Sequence, residues 1–318
     1  MKNVWRLQCN VSSGNIFEKC IKNKVAAMGW SFHTEIDYDN RWKEIQKYFE
    51  DTNSSDERWE KYNELCNELY KKVNNNIKRF HDDVEEGDYI WMRGNGIYYL
   101  AQVSQESKWD FKIEEEFFSA DMCNTLTNID WQKIGDESAV PGVVNTSFIK
   151  GFTFQRINKK GIAEFSEYLY KKSTNDHSPL KKIERSQENF YNWLSPSDCE
   201  DLLCMYLFNK EGYVCIPSTN KISTPLYECV LVHPTSGSKI YPQVKKGAIN
   251  LDCEKYVHLI EGTNNKVCLF TTEGTYSENN HENIMCIDPK DVYEWAIKAE
   301  TPKHLLPASV ELWKNISE

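Results

Sequence analysis

Residues 195–212, "SPSDCEDLLCMYLFNKEG", constrain the fold more than any other stretch of this chain. Ser195 is suited to cap a helix, Pro196 to sit at its first position, where no N–H is needed, and Gly212 to end it in a left-handed turn. Leu203, Tyr206 and Leu207 recur at helical spacing, so the helix has one apolar stripe to bury. The sequence that follows must supply the facing layer. "YVCIPS", "PLYECVLVHP", "KIYPQVKKG" and "KVCLFTTEG" are four short strand-like runs separated by turn residues, and "DPKDVYEWAIKA" is a capped amphipathic helix. Helix, mixed strands, helix over 195–318 predicts an α/β sandwich.

A chain of 318 residues exceeds one ordinary core, so two domains are expected. Before the C-terminal pattern, "NVWRLQC" alternates like a strand. "DNRWKEIQKYFED" then carries Trp42, Ile45, Tyr48 and Phe49 on one helical stripe. "RWEKYNELCNELYKKVNNNIKRF" repeats the pattern with Trp59, Tyr62, Leu65, Leu69 and Val73, with Ser54 or Ser55 as its cap. "EEGDYIWMRGNGIYYLAQVSQ" has two β-rich runs around Gly94-Asn95-Gly96, a hairpin signal, and "NIDWQKIG" and "SFIKGFTFQRI" add strands. Residues 1–157 therefore predict an α+β domain. Residues 158–194, with seven basic and five acidic side chains, predict a basic helical linker.

No run of 18 apolar residues exists, which excludes a spanning helix, and "MKNVWRLQCN" has no apolar core of a signal peptide. Eleven cysteines occur without a CxxC pair, which predicts reduced thiols in a cytoplasm, and the seven histidines form no metal-binding pair. No GxxxxGK[ST] loop is present, so no nucleotide motor is expected. The net charge of −10 disfavours a simple electrostatic grip on nucleic acid but leaves room for local patches.

The chemistry-bearing constellation is Glu200 on the leading helix, Glu228 within "LYECVLV", and Gln243 with Lys245 on the next strand. Alternation puts Gln243 and Lys245 on one side of "IYPQVKKG", and "HPTSGS" is a natural turn between the two strands. Two carboxylates and an amide carbonyl are hard oxygen ligands suited to Mg²⁺ or Mn²⁺. A lysine beside them can orient a water and stabilise charge on a phosphate.

With these residues in this order, 195–318 resembles the Mrr-like branch of the PD-(D/E)xK nuclease superfamily. The resemblance implies Glu200, Glu228, Gln243 and Lys245 as catalytic residues and Glu228, Gln243 and Glu200 as metal ligands. Glu228 stands where that family usually has Asp, one methylene longer in reach. In residues 1–157, "GWSF", "GDYIWMRGNGIYYLAQV", "IDWQKIG" and "TFQRI" resemble the PUA-like group that includes EVE and YTH domains. That resemblance implies a small β-barrel whose aromatic pocket takes a flipped or modified base. Trp30, Trp91, Trp109 and Trp131 are the candidates for its wall, with Trp30 foremost because it follows Gly29 at the end of an apolar run. Together the two resemblances imply a modification-dependent DNA endonuclease of the type IV restriction kind, acting in phage defence, with homodimer formation implied by the nuclease branch. The alternative is a nucleic-acid-binding sensor with a degenerate nuclease domain, and RNA is not excluded as the target.

Overall fold

β1 (Val4–Gln8) buries Val4, Trp5, Arg6 and Leu7 in succession, and a strand buried on both faces must run inside a covered sheet. The computed structural model describes residues 2–9, 16–32, 41–52, 54–149, 151–180, 182–221 and 224–318. After β1 come α1 (Ile16–Lys22), β2 (Ala26–Met28), α2 (Arg41–Glu50), α3 (Ser55–Tyr70), α4 (Asn75–Asp82), β3 (Tyr89–Gly94), β4 (Ile97–Gln102) and β5 (Trp109–Phe111). A short α5 (Glu115–Phe118), β6 (Asn124–Leu126), β7 (Gln132–Gly135), α6 (Gly142–Ser147), β8 (Phe154–Arg156) and α7 (Ile162–Thr174) follow.

One sheet has the order β7-β4-β3-β1-β8, with β1 parallel to β3 and the other pairs antiparallel. A second, antiparallel sheet has the order β2-β6-β5. Among the described residues these are two separate sheets and do not close into one barrel. Trp5, Leu7, Ile90 and Met92 face a core completed by Ile45, Phe49, Tyr62, Ile77 and Phe80 from the helices. The intervening residues face the other way and are covered by α7: the Trp91 indole N–H donates to Ser166 Oγ at 3.0 Å, and Tyr89 packs on Tyr170.

Local signals account for the element ends. Ser54 Oγ accepts from the Glu57 N–H and caps α3. The expected second helix is two helices, because Lys71 turns left-handed at φ +65° and Asn74 caps a fresh start. Asn95 and Gly96 both have positive φ, as a two-residue type I′ hairpin between β3 and β4 requires.

Contacts divide the chain into Met1–Val140 with Val144–Leu180, and Pro141–Val143 with Lys181–Glu318. Residues 158–194 are therefore not a linker. Phe165, Ser166 and Leu169 of α7 are buried against the first unit's sheet, whereas α8 (Gln187–Trp193) buries Phe190, Tyr191 and Trp193 in the second. Two of the lysines there serve local structure: Lys171 pairs with Glu167 at 2.7 Å, and Lys182 donates to the Asn315 carbonyl at 3.1 Å. Lys181 lies outside the described residues.

In the second unit α9 (Pro196–Glu211) has the caps its sequence predicts. Ser195 and Asp198 form a reciprocal capping box, and Gly212 closes the helix at φ +78°. Asp198 also accepts from the Gly142 N–H at 3.0 Å, which holds residues 141–143 in this unit. Then come β9 (Val214–Cys215), β10 (Leu231–Val232), β11 (Lys239–Lys245), β12 (Lys266–Thr271), β13 (Ile284–Ile287), α10 (Pro289–Ile297) and α11 (Ala308–Ile316). The sheet order is β13-β12-β11-β10-β9; β11, β12 and β13 are parallel, and β10 is antiparallel to both neighbours. α9 packs on β11, and the segment Cys253–Leu259 buries Cys253 and Tyr256 beneath Val267 and Leu269. The whole chain is thus a mixed α and β protein, and among the described residues no helix is long and apolar enough to cross a membrane.

Candidate active site

Glu228 was expected inside a strand. It lies three residues before β10, because Pro242 interrupts the ladder. Residues in a strand point their N–H and C=O to the same side, and the Pro242 carbonyl accepts the Glu228 N–H at 2.8 Å. The N–H that proline lacks would have faced the same segment, so pairing there fails, while the ladder between β11 and β12 runs unbroken from Ile240 to Lys245. The chain before β10 is left free to place its side chain over β11.

Three sequence-predicted residues meet there. Gln243 Nε2 donates to Glu228 Oε1 at 2.9 Å, the Val244 N–H reaches the same oxygen at 3.4 Å, and Lys245 Nζ lies 3.6 Å from it. Gln243 is buried, and its Oε1 has no hydrogen-bond partner among the described residues. Glu200 comes from α9 onto the same face. Burial foremost, and then the charges of Glu228 and Asp201, push its carboxyl up to about 7, against the opposing pull of Lys245.

The donor set fits a hard divalent cation. Two carboxylates repel each other and an amide oxygen is buried without a donor, and a cation between them would relieve both conditions. Among the described residues no three His, Cys, Asp or Glu side chains group as a metal cage, so the amide of Gln243 would have to complete such a set. Lys246, the second lysine of the doublet, does something else. Its Nζ donates to the Leu194 carbonyl at 2.6 Å at the C-terminal end of α8, on the side opposite Lys245. Alternation alone separates the two lysines.

In the first unit a cavity of about 560 Å³ is bordered by Trp30, Phe32, Tyr62, Tyr70, Asp121 and Thr153, among others. Its "GWSF" wall is held in an unusual backbone. Trp30 and Phe32 have φ of +58° and +63°, a conformation that bulky side chains avoid. Several bonds enforce it. The Ser31 N–H donates to Asp121 Oδ1 at 3.0 Å, Asn124 Nδ2 to the Gly29 carbonyl at 2.7 Å, and the Tyr62 hydroxyl to the Trp30 carbonyl at 3.2 Å. Any Cβ at Gly29 would come within 2.5 Å of Asp121 Oδ2. Phe32 stacks on Tyr70 at 5.7 Å and tilts against Tyr62 at 5.4 Å.

Of the four candidate tryptophans, only Trp30 borders this cavity. Trp91 is fully buried under α7. Trp109 packs against Trp59 and Tyr62. Trp131 donates its indole N–H to the Val25 carbonyl at 2.8 Å. These three are core residues, and their sequence neighbourhoods, alternating within strands or beside them, carried that reading as well. Phe32, Tyr62 and Tyr70 were not singled out as wall residues. Phe32 closes the same "GWSF" stretch as Trp30, a proximity that could have found it; Tyr62 and Tyr70 read only as helix stripe. Comparison with known proteins finds no family model, no curated protein and no solved structure that matches this chain.

Proposed function

We propose that this chain is a modification-dependent DNA endonuclease whose second unit hydrolyses phosphodiester bonds and whose first unit reads a base. The observation that carries the reading is the meeting of Gln243 and Lys245 on one oxygen of Glu228, at 2.9 and 3.6 Å, with Glu200 within electrostatic reach of the same charges. These four positions are the ones through which the segment resembles the Mrr-like PD-(D/E)xK nucleases.

Glu200, Glu228 and the Gln243 amide oxygen would hold Mg²⁺ or Mn²⁺, which when bound supplies charge neutralisation at the phosphate and acidifies a water. Lys245 then has a defined task. Its ammonium sits beside Glu228, where it offsets negative charge as the phosphorus adds a fifth oxygen, and where it can hold the attacking water in line. Gln243 turns its amide: the NH₂ faces Glu228 now, and a half-turn would present Oε1 to a cation at that spot.

The PUA-like reading of the first unit is supported by the cavity behind "GWSF". Its volume is within the range of about 300–1,000 Å³ usual for small-ligand sites. Trp30 and Tyr70 border it with aromatic rings on which a base would stack, worth about 1–3 kcal/mol, and the buried Phe32 supports Tyr70 from behind. Strained backbone held by several side-chain bonds is typical of binding sites.

The test is cleavage of plasmid DNA, unmodified and phage-modified, by the purified chain with Mg²⁺ or Mn²⁺. Cutting should require the cation and should vanish in Lys245→Ala, with far-ultraviolet circular dichroism unchanged. Cleavage that survives Lys245→Ala removes this mechanism. Binding without cutting on every substrate assigns the chain instead to modified-DNA sensing, with the cavity as its main site.

A further inference from the structure

Among the described residues the two most exposed large hydrophobic side chains lie together in the first unit: Ile149, 72% exposed, and Phe152, 64% exposed. They flank Gly151 and precede β8. Single exposed apolar side chains are ordinary, but this tip stands on an expensive foundation.

That foundation is Arg6, whose side chain is wholly buried on β1. Its guanidinium donates to the Phe152 carbonyl at 2.6 Å and to Gln155 Oε1 at 3.3 Å, and also to Gln8 Oε1. It lies 5.6 Å from the Phe148 ring centre, and its Nε has no hydrogen-bond partner among the described residues. No carboxylate among the described residues pairs with it. A buried cation held only by neutral groups is destabilising unless something else gains from it. Gly151 completes the arrangement. With φ +133°, its missing Cβ would fall 2.3 Å from Arg6 Nη2 and 2.4 Å from Gln155 Oε1, so only glycine lets the tip settle on the guanidinium.

The tip also adjoins the cavity. Thr153, the next residue after Phe152, borders the cavity that Trp30 borders, and its carbonyl is fixed by the Gln8 N–H at 2.8 Å. On its other side Phe152 borders a depression where Arg79 and Arg156 meet Asp82, Asp83 and Glu85. That side repels a polyanion. The cavity side carries one lysine, Lys72, and one aspartate, Asp121, whose Oδ1 accepts the Ser31 N–H.

We infer that Phe152, seconded by Ile149, is a wedge that enters a DNA duplex and fills the gap left when a base moves into the Trp30 cavity. The inference rests on the base-reading role given above. Moving a base out leaves an unstacked hole, and an apolar side chain inserted between base steps is the usual compensation. Arg6 lends positive potential beneath the tip without occupying the surface that must slide between bases.

The experiment measures binding of the whole chain, in EDTA to prevent cutting, to fluorescent 20-mer probes. The probes are an intact duplex, the same duplex with one abasic site, and the single strand. An abasic duplex already has the hole, so a wedge should bind it about tenfold tighter than the intact one. Phe152→Ala with Ile149→Ala should bring that ratio close to one and leave single-strand affinity unchanged, and Phe152→Leu should restore part of it. Trp30→Ala should weaken single-strand binding but keep the abasic preference, since no base needs housing there. Single-strand binding untouched by Trp30→Ala counts against the base cavity and leaves the wedge to stand on the abasic ratio. A wild-type chain without abasic preference overturns the wedge, as does a preference that survives in the double variant. An equal fall on single strands and duplexes overturns it too, because the tip would then be a general contact surface for nucleic acid or for a protein partner.

Discussion

Replacing Glu200 by Gln should stabilise the cation-free protein at pH 8 and do so much less at pH 5. Burial and the neighbouring carboxylates raise this group from its ordinary 4.5 to about 7, so the folded state favours its protonated form. A raised carboxyl contributes stability that is complete below the unfolded value near 4.5 and is lost as pH climbs through 7. Taken at full weight the shift corresponds to about 3 kcal/mol. Solvent reaches this half-buried carboxylate, and screening brings the figure to about 1–2 kcal/mol. Gln mimics the protonated acid and cannot ionise, so the variant keeps that stability at every pH. For a unit of this size the difference amounts to about 3–6 °C in melting temperature. Thermal unfolding in EDTA at pH 5 and pH 8, followed by circular dichroism, reads it directly. Saturating Mg²⁺ should then narrow the gap at pH 8, because the cation relieves in the wild type the repulsion that the variant has already lost. A variant that melts with the wild type at pH 8, or gains equally at pH 5, refutes the reasoning.

Glu228→Asp should lower Mg²⁺-dependent cleavage at least about tenfold with an unchanged melting temperature, since Glu228 reaches Gln243 and Lys245 from outside the ladder; full activity in steady-state plasmid cleavage would count against that geometry. Gly151→Ala should destabilise the first unit by about 1–3 kcal/mol, because its φ of +133° and its contact with Arg6 leave no room for a Cβ. Denaturant unfolding followed by tryptophan fluorescence measures it, and a midpoint equal to the wild type would show that the tip can shift off the guanidinium.

How far the sequence reveals the structure depends on whether the deciding interaction is local. The caps of α9, Ser195 and Gly212, and the Asn95-Gly96 hairpin follow from side-chain and backbone preferences within a few residues, and they stand where the residues put them. The role of α7 does not. Its lysines make it look solvated and its position between two patterns makes it look like a linker, yet Phe165, Ser166 and Leu169 cover a sheet face whose need for cover is written in Tyr89 and Trp91, about 75 residues earlier. β13 and α11 went unread for a related reason. "IMCI" is too short to show a period, and "ASVELWKNI" lacks a side-chain cap, so neither announces itself without its neighbours. The strained "GWSF" backbone was visible only as composition, because the groups that enforce it, Asp121, Asn124 and Tyr62, are distant in sequence.

The position of Glu228 joins these local and distant effects. A proline at 242 in a central strand reads as an error of assignment, since it removes a ladder bond. Here the bond it removes is on the β10 side alone, and among the described residues the segment carrying Glu228 keeps one backbone tie to β11 there, from the Glu228 N–H to the Pro242 carbonyl. From that segment Glu228 Oε1 lies 2.9 Å from Gln243 Nε2 and 3.6 Å from Lys245 Nζ. Pro242 thus stands where strand pairing gives way to the segment that bears the acid, and the residue that looks misassigned in a central strand is the one whose carbonyl holds Glu228 beside Gln243 and Lys245.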